Sequence, residues 1–156
     1  MEGFIAARVV HVLSIVFWIG GVAMVTTILL PAVKQFKTAE ERVQFFEQVE
    51  GRFAWQSRIT TLMAGLSGFY LVHTLNAWSR FGQLEYWWMT MMVIVWLIFT
   101  LMLFVFEPLF LHALFLRKAR ANPEKTFSTI QNMHWFLLSI SLITVLGAVA
   151  GSHGWV

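Results

Sequence analysis

Four apolar blocks separated by polar connections run along this chain. The spacing predicts helices over 4–30, 59–78, 87–106 and 133–150, each about as long as a bilayer-crossing helix needs to be. At 100° per residue, Phe4, Ala7, His11, Ile15, Trp18, Val22 and Val25 fall on one stripe of the first helix. Pro31 is expected to end it, since proline cannot continue the hydrogen-bond ladder. The second block carries Ala64-x-x-x-Gly68, a small-residue pattern that admits another helix at close range. A short turn over 79–85 leads to the third, where Glu107-Pro108 marks the expected membrane exit. Asn122-Pro123 reads as the cap and first residue of the last helix, and Gly147 and Gly151 form a second close-packing face near its end.

The connection after the first block has its own pattern. Thr38-Ala39-Glu40-Glu41 has capping-box spacing, and Val43, Phe46, Val49 and Phe53 then recur at roughly helical intervals. This predicts an amphipathic helix over 38–56 lying on the membrane surface, its glutamates solvated. The expected fold is therefore an all-α integral membrane protein: a single-domain four-transmembrane-helix bundle with an interfacial helix between helices 1 and 2. No internal repeat or low-complexity segment interrupts it.

Composition agrees. The 156 residues are 58% hydrophobic and 12% charged, with a mean hydropathy of +0.70. There is no cysteine, which excludes disulfides, thiolate metal sites, iron–sulfur clusters and covalent c-type haem attachment. The first apolar block is too long for a signal-peptide core and lacks a small-residue cleavage site, so it reads as a span. The net charge of +3 does not point to nucleic acid. The basic residues sit between apolar blocks: Lys34, Lys37, Arg42, Arg52, Arg58, Arg117, Lys118, Arg120 and Lys125 on one side, against Arg8 and Arg80 on the other. The positive-inside rule puts the larger group in the cytoplasm and both termini outside, as in a bacterial cytoplasmic membrane.

This orientation sorts the histidines. His11 and His73 lie ~10 and ~8 Å below the outer surface on consecutive antiparallel helices. An ionisable side chain inside an apolar span is a functional hypothesis by default. Two imidazoles at matched depth suit the axial positions of a haem b iron held between helices. Trp18, Gly68, Phe69 and Tyr70 would flank the flat macrocycle, and Arg8 would meet its propionates nearer the surface. His112 and His134 share a depth on the cytoplasmic side and could ligate a second haem. His153, at the outer rim, could instead complete a copper site with His11 and His73. The bland alternative is that these histidines only hydrogen-bond within the bundle. The eight methionines form no repeated ladder of the kind copper transport would use, and packing accounts for them.

His11 followed by Phe17-Trp18-Ile19-Gly20-Gly21 and Leu29-Leu30-Pro31 resembles the first helix of HemJ-type protoporphyrinogen oxidases and the membrane domain of the copper-resistance D (CopD) family. Thr61-Leu62-Met63-Ala64-Gly65-Leu66-Ser67-Gly68 extends the resemblance into the second helix. It implies a small helical bundle binding haem b through His11. In Trp88-Met89-Thr90-Met91-Met92, Met92 stands where the HemJ pattern has a lysine, a departure that argues against protoporphyrinogen oxidation. The expectation is a membrane cytochrome b that passes electrons to or from quinone or a redox protein. The rivals are a copper-handling membrane protein and an accessory subunit, self-associating or docked on a larger membrane complex.

Overall fold

The computed structural model describes residues 1–155, and among them every regular element is helical. Four helices follow one another: α1 (Glu2–Val33), α2 (Ala39–Thr74), α3 (Leu84–Ala121) and α4 (Pro123–Ser152). A 3₁₀ turn, Trp78–Gly82, precedes α3. Three of the helices, α1, α3 and α4, are long and apolar enough to cross a membrane.

Neighbours run antiparallel. Along α1, Gly3, His11, Phe17 and Gly21 meet Tyr70, Gly68, Gln56 and Phe53 of α2 in that order. On the α2–α3 seam, Trp96 meets Thr61 and Arg58 meets Leu103. Trp87 and Trp88 of α3 lie in the notches left by Gly147 and Gly151 of α4, where a β-carbon at Gly147 would stand 2.5 Å from the Trp87 ring. The glycine pair predicted for close packing thus seats two indoles. The outcome is an up-down-up-down bundle.

The predicted stop at Pro31 is overridden, and the helix predicted over 87–106 runs on past Pro108. α1 continues through Pro31 to Val33, and α3 continues through Pro108 to Ala121. Each proline follows or lies within a stretch of π-type bonding, Val25–Leu29 and Met102–Leu111. There the amides of Leu30 and His112 reach back five residues, to Val25 O and Glu107 O. The wider turn accommodates a residue that has no N–H and would crowd the carbonyl of an ordinary turn.

The separate helices predicted over 38–56 and 59–78 are one continuous helix, α2. It starts on the expected capping box, with Thr38 Oγ1 accepting from Glu41 N–H and Glu41 accepting from Thr38 N–H. It stops at Thr74, because Asn76 adopts a left-handed φ of 49°. That conformation lets Ala77 N–H donate to Val72 O and Asn76 N–H to His73 O, closing a Schellman cap. The apolar face predicted to lie on lipid is internal. Val43 and Phe46 are buried with Leu30, Val33, Ala119 and Phe127, and Val49 and Phe53 pack against them. Their spacing is the same for either surface, so periodicity alone does not separate lipid from a neighbouring helix. α4 starts on Asn122, whose side chain accepts from Lys125 N–H, with Pro123 as first residue, as predicted.

A candidate cofactor cavity around His11

Trp18, Ile19, Val22, Ala64, Val95, Phe99, Leu137 and Leu138 close the middle of the bundle. On the side of this plug facing the termini, the helices part around a cavity of about 690 Å³. That lies within the ~300–1,000 Å³ typical of ligand sites, and the wall is mostly apolar, as such sites are. His11 is on the wall, half-buried. Its ring lies over Gly68, where an added β-carbon would come within 2.9 Å of Cε1. The small-residue pattern on α2 therefore makes room for this imidazole as well as for a helix.

The ring's tautomer follows from its partners. Nδ1 is 2.9 Å from Ala64 O and 3.2 Å from Ser67 Oγ. A carbonyl can only accept, so Nδ1 carries the proton and donates to Ala64 O. Nε2 is left with its lone pair and has no hydrogen-bond partner among the described residues. Histidines that ligate metals characteristically donate their other N–H in this way, which fixes the ring and raises its basicity.

Other predicted residues divide. Trp18 is on the wall, its ring edge-on to Phe99 at 5.0 Å. Phe69 is on the wall too, stacked on Trp78 at 6.3 Å and edge-on to Trp96 at 5.6 Å. Arg8 lines the mouth and is exposed. Tyr70 is not part of the wall; it is exposed, its hydroxyl set against Gly3. Nor does His73 line the cavity. It is exposed, roughly 100° around α2 from the face formed by Gly65, Gly68 and Val72. The expected sharing of one iron by His11 and His73 is thus not assembled: matched depth on neighbouring helices did not bring matched rotation.

The remaining histidines have separate surroundings. His112 faces Glu47 across 3.5 Å, and His134 Nδ1 donates to Ile130 O of its own helix at 2.9 Å. Neither lines the cavity. His153 is exposed and donates from Nδ1 to Val149 O at 2.8 Å. Among the described residues no three His, Cys, Asp or Glu side chains come together as a metal site, so the expected copper triad of His11, His73 and His153 does not form.

Several wall residues were not anticipated as such, among them Trp96 and three that bring polar or soft donors. Arg80, from the 3₁₀ turn, joins Arg8 around the cavity and lies 5.0 Å over the Tyr86 ring. Met89 and Met92 bring two thioethers from α3. The charge count already put Arg80 at the same end as Arg8, a signal available before any coordinates. No periodicity argument could have shown the methionines facing the cavity instead of lipid. Comparison with known protein families, with curated proteins and with solved structures gives no match for this chain.

Proposed function

We propose that the chain is a membrane haem protein whose cavity holds one haem b through His11 Nε2, and that it passes electrons to or from quinone or a redox protein. The observation that carries this reading is His11 itself: a ring on an apolar cavity wall, its Nδ1–H tied to Ala64 O and its Nε2 unpartnered. The surroundings fit an amphipathic macrocycle. Apolar side chains and the flat rings of Trp18, Phe69 and Trp96 suit its faces, while Arg8 and Arg80 suit its carboxylates. Haem supplies one-electron chemistry when bound, tuned by axial ligand, burial and nearby charge. The chain's own part is to orient the imidazole through Ala64 and Ser67, exclude water with the apolar wall, and offset negative charge with the two arginines.

With His73 off the wall, Met89 and Met92 are the soft donors left facing the cavity. Imidazole with thioether also suits copper(I), and this observation supports a copper-handling protein as the second reading. Membrane placement belongs to the same proposal. α2 runs antiparallel beside α1 from Gly21 to Gly3, so its part beyond Arg58 serves as the fourth span, with both termini outside and the basic connections within.

Purified full-length protein provides the test. The haem reading expects a Soret band with resolved α and β bands on reduction, and one iron per chain. Colourless protein containing stoichiometric copper supports the second reading instead. Protein with neither removes both.

A further inference from the structure

Trp18 Nε1, Ser57 Oγ, Thr61 Oγ1 and Thr100 Oγ1 are buried polar atoms without a hydrogen-bond partner among the described residues. They follow one seam. Trp18 belongs to the cavity wall. So does Trp96, whose Nε1 donates to Thr61 O at 2.9 Å, and farther from the termini Arg58 Nε donates to Leu103 O at 3.1 Å. Thr100 stands on α3 between these two ties, and Ser57 and Thr61 flank Arg58 on α2. At the foot of the seam Arg58 pairs with Glu107, with Glu50 and the His112–Glu47 contact beside them.

Other buried hydroxyls behave differently. Thr26, Ser141 and Thr144 each donate to a carbonyl one turn back at 2.7 Å. Gln131 Oε1 is also unpartnered, but its side chain is tied to Thr26 O between α1 and α4, away from the seam. A buried donor or acceptor left unpaired forfeits its full desolvation cost, and internal water is the usual remedy where several polar groups converge.

We infer that this seam carries a thread of internal water serving as a proton route between the carboxylates Glu107 and Glu50 and the floor of the cavity. Carboxylate and hydroxyl chains within membrane bundles mark such relays. Along the thread each oxygen accepts one proton from one neighbour and releases one to the next, so only O–H bonds form and break and no electrons move. The route does not depend on what occupies the cavity.

The test uses full-length protein in vesicles of neutral phospholipid with an internal pH dye. An imposed pH step should decay faster than in protein-free vesicles, and the double variant Thr61→Val/Thr100→Val should lose that excess. Equal decay with and without protein, or an undiminished excess in the double variant, overturns the inference. Water-edited solid-state NMR on the wild type needs no variant. Thr26 and Thr61 are both 0% exposed, yet the side-chain signals of Thr61 and Thr100 should take up water magnetisation faster than that of Thr26. Equally slow uptake by all three also overturns it.

Discussion

At the end of the bundle away from the termini, Phe46, Phe115 and Phe127 pack ring against ring at 5.2 to 5.8 Å, and Ala119 and Val33 are wholly buried among them. Arg42 ties the starts of α2 and α4 together through Glu124 while donating to Phe36 O and Lys34 O. At the end nearest the termini the same helices diverge around about 690 Å³, and two arginines face the opening without an ion-pair partner among the described residues. The contrast assigns different work to the two halves. Ring packing and ion pairs at one end hold the helices, so the other end can leave space between them.

That division can be broken from either side. Phe127 is 1% exposed, and Phe127→Ala should destabilise the protein by ~3–5 kcal/mol through the cavity it leaves. Detergent-solubilised protein followed by thermal or denaturant unfolding measures this, and cofactor content per folded molecule should stay unchanged. Gly68→Ala should do the reverse. Its new β-carbon would displace the His11 ring from Ala64 O, so cofactor affinity should fall ~10–100-fold with little change in stability.

Glu50 probes the end away from the termini by pH. Burial pushes its carboxyl above the ordinary value of 4.5; Glu107 adds to the rise, while His112 and Arg58 oppose it. A raised carboxyl binds its proton more tightly when folded, so its stabilising contribution is complete below the unfolded value and lost as pH rises through the folded one. Glu50→Gln should therefore gain stability relative to wild type as pH is raised from 4.5. A difference independent of pH would show that Glu50 is solvated. Arg42→Ala should have the mildest effect, about 1 kcal/mol, because its partner Glu124 is 74% exposed.

What the residues could reveal in advance followed from local chemistry. The capping box at Thr38–Glu41, the Asn122-Pro123 start and the glycine notches on α2 and α4 depend on side chains within a turn of one another, and each forms. The π-type turns that carry helices through Pro31 and Pro108 depend on how the whole bundle packs, so a local proline rule missed them. The site shows the same split. His11 was visible as an imidazole on a buried stripe. His73 shares its depth but does not line the cavity, because rotation about α2, roughly 100° here, counts as well as depth. The charge pattern placed Arg80 at the same end as Arg8, but its position on the wall depends on the 3₁₀ turn that carries it.

The account rests on the unpartnered Nε2 of a single histidine. Reduced-minus-oxidised spectra of His11→Ala and His73→Ala, each normalised to folded protein, bear on it without ambiguity. The expected result is loss of the α-band signal in His11→Ala and a wild-type spectrum in His73→Ala. Retention of the full signal by His11→Ala, or its loss in His73→Ala, would contradict the cavity assignment.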